Sequence, residues 1–172
     1  QDLDNIPKDE KGNYDYECIE NVDICLFSMQ MNDLLEGKSV RLPRYNFAIS
    51  KKEYEKESYS LDKDSVLIIE GIHALNPTIT SNMPKKSIYK VYIAPLVNLN
   101  FDNFTKVSSS DTRLLRRIIR DFETRGQSVE NTLKLWEKVK KGEDKYIYPY
   151  IKEADFLYNT SLIYELCVLK PF

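Results

Sequence analysis

The chain has 172 residues, 42% of them apolar, enough for one domain with a sizeable core and too few for two comfortable ones. Its 25 basic and 27 acidic side chains nearly cancel, so the chain as a whole shows no electrostatic pull toward nucleic acid or a membrane, and any electrostatic function is local. Cys18, Cys25 and Cys167 form no CxxC pair and no metal-ligand spacing, and their odd number argues against a disulfide framework and fits a reducing, cytoplasmic setting.

No apolar run approaches a membrane span and no basic-then-apolar leader is seen. The opening residue is Gln1 rather than methionine, consistent with a piece of a longer protein. The stretch "QDLDNIPKDEKGNYDYE" is polar and without periodicity, and reads as a loop that can line a site. From about Ile19 to Glu36, Val22, Cys25, Met29, Leu34 and Leu35 recur near helical spacing, with Gly37 as the stop. The "GKS" that begins at Gly37 is not a phosphate loop: GxxxxGK[ST] needs glycine where Asn32 stands, and it needs a strand before it rather than a helix. Lys38 is therefore read as a helix-end lysine favoured by the dipole.

Next, "SVRLPRYNFAI" and "EKESYSL" flank a charged turn region and predict a projecting antiparallel ribbon, with Pro43 suited to an edge. "SVLII" is apolar without a break and predicts a strand covered on both faces of a parallel sheet; "SIYKVYIAP" predicts a second. The polar "LVNLNFDNFTKVSSS" leads to a helix from about Thr112 to Arg125, stopped at Gly126. Ser128 is placed to cap another helix bearing Val129, Leu133, Trp136 and Val139. "ADFLY" predicts a short buried strand, and "SLIYELCVL" a final helix. The alternation predicts an α/β fold with a mainly parallel sheet, whose sites gather beyond the carboxyl ends of the strands, where Glu70 would stand.

The helix "DTRLLRRIIRDFETRG" carries the strongest chemistry. Arg113, Arg116, Arg117 and Arg120 crowd within about 100° of one face; only Glu123 lies close to that stripe, and Asp121 is placed toward the apolar side, so local pairing is not expected to neutralise them. Three explanations stand: a phosphate ligand matched to guanidinium forks, a solvated basic face, or a nucleic-acid patch. Arg125, before Gly126, is placed to swing into a site. Glu70 reads either as a magnesium-side acid or as an ordinary strand-end acid. His73 reads as a ligand contact or as a structural hydrogen-bonder. Asp15, between Tyr14 and Tyr16, is placed to accept from sugar hydroxyls, and Tyr45 with Phe47 to stack on a flat base; otherwise these are plain loop and edge residues.

Taken in order, "GNYDYE", "EGKSVRLPRYNF", "SVLIIEGIHALNP", "DTRLLRRIIRDFETRG" and "EDKYIYPYIKEADFLYN" resemble the uridine kinase and phosphoribulokinase-like branch of P-loop kinases over nearly the whole chain. The resemblance implies transfer of the γ-phosphoryl group of ATP, with magnesium, to a ribose-type hydroxyl, commonly the 5′-hydroxyl of a pyrimidine nucleoside. It implies Glu70 as the magnesium-side ligand, Arg117, Arg120 and Arg125 as lid arginines on ATP phosphates with Arg113 and Arg116 in support, Asp15 on the ribose, and Tyr45 and Phe47 on the base. With Tyr14 and His73 these complete the expected nucleoside site, one cleft shared by the acid and the arginine helix.

The implied fold is P-loop NTPase-like, a mainly parallel sheet flanked by helices with a projecting β-hairpin. Residues 1–172 would form one uridine kinase-like domain whose first strand and phosphate loop, with the hydroxyl-activating aspartate, lie before Gln1; the surroundings of Asp2 and Asp4 do not match that aspartate. Ser50 stands about where relatives carry a base-reading histidine, leaving the base open. The uncovered sheet face implies a homo-oligomer or a marginally stable piece. The reading is a uridine kinase-like nucleoside kinase of which this chain would be a truncated piece that could lack activity; a non-catalytic nucleotide-binding regulatory domain and an RNA-binding module are the alternatives.

Overall fold

The computed structural model describes residues 6–8, 12, 14, 15, 17–46, 51–97, 99, 100 and 102–172. They divide into two compact units, the first Gln1–Lys90 with Asp144–Glu153, the second Val91–Glu143 with Ala154–Phe172.

In the first unit a 3-10 turn at Ile19–Asn21 leads into α1, Ile24–Leu35. Helix α1 starts where Asp23 caps it, its carboxylate accepting from the Leu26 N–H at 3.1 Å, and stops at Gly37, whose φ of 75° few other residues adopt cheaply. Its inward face supplies Met31 and Leu34, which close with Val40 into a small core edged by Phe27, Leu42, Leu61 and Met83. The ribbon is present but pairs differently from expectation. Strand β1, Pro43–Asn46, runs antiparallel to β2, Lys51–Tyr54, so the second strand lies in the charged stretch predicted to be the turn. "EKESYSL" contributes a single bridge, Val40 to Tyr59, beyond the ladder.

The larger correction concerns "SVLII". Residues 65–70 form no strand, and Val66 and Ile68 are 85% and 87% exposed. Apolar continuity shows that a segment wants covering, but a strand exists only where a neighbour completes its hydrogen bonds, and no strand among the described residues lies beside this one. The chain then turns inward: the Ala74 N–H bonds the Gly71 carbonyl and the Asn76 N–H the His73 carbonyl. These turns bury His73, Leu75 and Asn76 before the short α2, Pro77–Thr80.

The second unit holds the parallel pair. Strand β3, Val91–Ala94, lies beside β4, Phe156–Asn159, as the sequence predicts for "SIYKVYIAP" and "ADFLY". The Asn159 amide clamps their ends, accepting from the Leu96 N–H at 2.9 Å and donating to the Leu96 carbonyl at 3.1 Å. Burial of "ADFLY" is not found: Phe156, Leu157 and Tyr158 are about half exposed, because two strands leave much of a sheet face uncovered.

Helix α3, Ser109–Arg125, begins earlier than the expected Thr112 because Ser108 caps it, accepting from the Ser110 N–H. It ends in the left-handed Gly126. Ser128 caps α4, Val129–Tyr146, accepting from the Asn131 N–H at 3.2 Å. Of the predicted apolar face, Val139 is buried while Val129 and Leu133 remain exposed. The last helix, α5, is confined to Glu165–Leu169. The architecture is thus mixed α/β, with helices, a parallel pair and a separate antiparallel ribbon. No helix among the described residues is long and apolar enough to cross a membrane.

Candidate functional site

The expected residues fall into two clusters, one in each unit. In the first, a bridge between Lys8 and Tyr14 folds the opening stretch back on itself, and the Asp15 N–H donates to the Pro7 carbonyl at 2.8 Å. Asp15 then organises the turn that leads toward α1. Its Oδ1 accepts from the Glu17 N–H at 3.0 Å, and its carbonyl accepts from Asn21 Nδ2 at 2.8 Å and Cys18 Sγ at 3.3 Å. The remaining carboxylate oxygen, Oδ2, takes a hydrogen bond from the Tyr146 hydroxyl at 3.4 Å. The same Tyr146 ring meets the His73 ring edge-on, with centroids 5.8 Å apart. Asp15 and His73 therefore both contact one phenol, that of Tyr146.

His73 is 7% exposed, and burial pushes its imidazole below the ordinary 6.5; hydrogen bonds with the Cys18 and Glu17 backbone, and the charges of Glu20 and Asp15, act the other way. Its Nδ1 has no partner among the described residues. A neutral ring with an unpartnered nitrogen keeps the capacity to accept a hydrogen bond, although here that nitrogen is buried. Burial likewise raises the Cys18 thiol and the Tyr146 phenol, so both stay protonated and available as donors. Tyr14 is 40% exposed, with the Lys8 ammonium 5.4 Å from its ring centre.

Tyr45 lies half-buried in β1 opposite Lys52, while Phe47 and Ser50 lie outside the described residues. Glu70 is exposed, just before the turns that bury His73; it is not at the tip of a strand, since residues 65–70 form none. Lys38 pairs with Asp33 at 2.9 Å and Glu36 at 2.7 Å, which raises its ammonium and agrees with an ordinary helix-end lysine.

The second cluster corrects the expectation that Asp121 lies too far round α3 to pair with the arginines. Asp121, 3% exposed, faces Arg117 Nε at 3.2 Å, Arg120 Nε at 3.8 Å and Arg125 Nη1 at 3.0 Å. Four residues after Arg117 and four before Arg125, it lies about 40° round the helix from each, within reach of a guanidinium. Arg113 pairs with Glu143 and Arg116 with Glu165, carboxylates that no reading of one helix could foresee. The Glu165 hydrogen bond raises the Arg116 guanidinium further. Neutralisation is nonetheless incomplete, because one carboxylate serves three guanidiniums, and the Arg120 and Arg125 side chains remain about half exposed. Such an arrangement suits a polyanion.

Two members of these clusters escaped the sequence reading. Asp121 carried a usable sign in its four-residue spacing from Arg117 and Arg125. Tyr146 carried none, being 131 residues from Asp15. Among the described residues no group of three histidines, cysteines or acids is placed to hold a metal ion.

The sequence matches the family described as "Phosphoribulokinase / Uridine kinase family" over residues 2–161. Among similar proteins, uridine-cytidine kinase B of Dictyostelium discoideum is 29% identical over 147 residues, 85% of this chain and 53% of that protein. A uridine kinase of Staphylococcus epidermidis is 29% identical over 147 residues, covering 84% of this chain and 61% of its own length. One from Macrococcus caseolyticus is 28% identical over 148 residues, 86% of this chain and 62% of its own. The chain thus spans between about half and three fifths of these relatives. With the match covering Asp15, His73, Tyr146 and the α3 arginines, the chain belongs to the phosphoribulokinase / uridine kinase family.

Proposed function

We propose that the protein to which this chain belongs transfers the γ-phosphoryl group of ATP to the 5′-hydroxyl of a pyrimidine nucleoside. The observation that carries this reading is the gathering of Arg117, Arg120 and Arg125 on one buried carboxylate, in a family whose similar members are named uridine kinases. In phosphoryl transfer the nucleoside oxygen bonds to the γ-phosphorus and gives up its proton to a general base or to solvent, as the bond to the bridging oxygen breaks and ADP leaves. Catalysis is almost wholly positioning and charge stabilisation. Guanidiniums held in excess over their carboxylate supply such stabilisation on the phosphate side, with Arg113 and Arg116 supporting.

On the acceptor side, Asp15 is assigned to the ribose, with its second carboxylate oxygen aimed by Tyr146. Tyr14, Tyr45 and Phe47 are assigned to the base, and His73, whose buried Nδ1 has no partner among the described residues, to the same nucleoside site. Magnesium enters as part of the substrate, carried on the ATP phosphates. Glu70 offers it a single exposed carboxylate, a fit with the habit of this ion of taking one or two protein carboxylates beside phosphate oxygens. Three free cysteines, Cys18, Cys25 and Cys167, support a reducing, cytoplasmic setting. The ion pairs that engage Arg113 and Arg116 favour a defined nucleotide site over an RNA-binding stripe.

The test is a nucleoside panel assayed with ATP and magnesium on the full-length protein. ADP should form with uridine or cytidine and not with purine nucleosides. Saturable binding of one ATP without product from any nucleoside would replace the kinase with a regulatory domain, and steep salt dependence with RNA would replace both.

A further inference from the structure

We propose that Asp121 is a positioning residue, a buried carboxylate that gathers Arg117, Arg120 and Arg125 into one polyphosphate-binding unit. The inference rests on the proposed phosphate role of these arginines and extends it to a residue that would never touch the nucleotide.

Asp121 is fixed from several directions. Its carbonyl accepts from the Gly126 and Gln127 N–H groups where α3 turns through the left-handed glycine, which ties it to the helix end. Its Oδ2 accepts from the Thr132 hydroxyl at 3.3 Å, and Thr132, 1% exposed on α4, is itself held by its N–H to the Ser128 carbonyl. The carboxylate therefore has one orientation, set by the junction of α3 and α4. The three guanidiniums converge on it, Arg117 and Arg120 most closely through Nε and Arg125 through Nη1.

An arginine waving in water loses rotamer freedom when a ligand fixes it, and a charge already behind the guanidinium removes much of that cost in advance. Each guanidinium carries five N–H donors, so donors remain for an anion on the solvent side. With its side chain 4% exposed, the carboxylate lies behind the guanidiniums and is poorly placed to repel such an anion directly. Organisation is thus expected to outweigh competition, and the sign of the mutant effect decides between them.

The experiment is calorimetry on the full-length protein with two probes, inorganic tripolyphosphate and uridine. Asp121→Asn keeps the side-chain volume and an acceptor for Thr132 while removing the charge. It should weaken tripolyphosphate binding about 10-fold, the scale of a charge-assisted hydrogen bond, and leave uridine binding unchanged. Thr132→Val, which frees the carboxylate without altering any charge, should weaken tripolyphosphate binding in the same direction by about 3-fold.

Equal or tighter tripolyphosphate binding by a folded Asp121→Asn protein would overturn the inference and leave the phosphate reading intact. Parallel loss of both probes would assign Asp121 a general structural role and also overturn it. Should Asp121→Asn fail to fold, unchanged tripolyphosphate affinity in Thr132→Val overturns the proposal. Absence of tripolyphosphate binding by the wild type would overturn the phosphate reading and this inference together.

Discussion

In the second unit three guanidiniums converge on one buried carboxylate, whereas in the first a carboxylate and an imidazole meet at one half-buried phenol. The arginine cluster holds charge against charge and keeps a positive excess. The cluster around Tyr146 is held by one long hydrogen bond, an edge-on ring contact and backbone turns. Strong, unbalanced electrostatics suit a ligand of high charge, and weaker directional contacts suit a neutral one whose hydroxyl and amide groups must be distinguished. The contrast implies that damage to the arginines should appear in the rate of reaction, and damage around Tyr146 in affinity for the neutral substrate.

The sharpest way to break this contrast is the double substitution Arg117→Ala and Arg120→Ala in the full-length protein. Arginines acting on a transferring phosphoryl group contribute about 10³ to 10⁵ in rate in comparable enzymes, so turnover should fall by about 10³. Nucleoside affinity should not change, because neither residue belongs to the Asp15 cluster. Steady-state kinetics with varied ATP and varied nucleoside separates the two effects. Activity equal to wild type would remove both arginines from the mechanism.

How far the sequence foretold these clusters depended on the distance over which their contacts act. Helix α3 was legible almost to its ends, since its stop needs only the local conformational preference of Gly126, and it starts a few residues before the expected Thr112 because Ser108 supplies the cap. The parallel pair was legible because β-branched and aromatic residues mark "VYIA" and "FLYN". "SVLII" misled, because a run of apolar residues records a demand for cover and says nothing of whether a neighbouring strand supplies it. The arginines themselves were visible in the helix, but Glu143 and Glu165 come from other segments, and Tyr146 reaches Asp15 only after the chain has returned. Asp121 is different: its information was local, and the four-residue spacing outweighs its place at the edge of the polar arc once the length of an arginine side chain is considered.

A second effect should belong to the first unit, and it concerns pH. Burial holds the folded His73 below its ordinary 6.5, so in the interval beneath that value the unfolded chain binds the proton more readily than the folded one. The His73 contribution to stability is therefore whole above about pH 6.5 and is lost as the pH falls through that value toward the folded one. Thermal melts between pH 8 and 5 should show the wild type losing stability on acidification, and His73→Gln should flatten that slope. An unchanged slope would mean that the ring takes up its proton without penalty, its hydrogen bonds to the Cys18 and Glu17 backbone and the charges of Asp15 and Glu20 offsetting burial. The arginines, charged throughout this range, contribute no such slope.

The smallest expected effect is also the most discriminating for Tyr146. Tyr146→Phe keeps the ring against His73 and removes only the hydroxyl that donates to Asp15 Oδ2 at 3.4 Å. A bond of that length lies at the weak end of its class, so folding stability should fall by about 0.5 kcal/mol. If the hydroxyl does no more than fill space, nucleoside affinity matches the wild type. If it aims the carboxylate at a ribose, loss of the hydroxyl lets Asp15 turn and weakens nucleoside binding about 2-fold, in proportion to the small free energy involved. ATP affinity should not change in either case. Calorimetric titration with uridine resolves such a change, and a rise in ATP dissociation constant of equal size would show that the two clusters do not divide the work as their construction suggests.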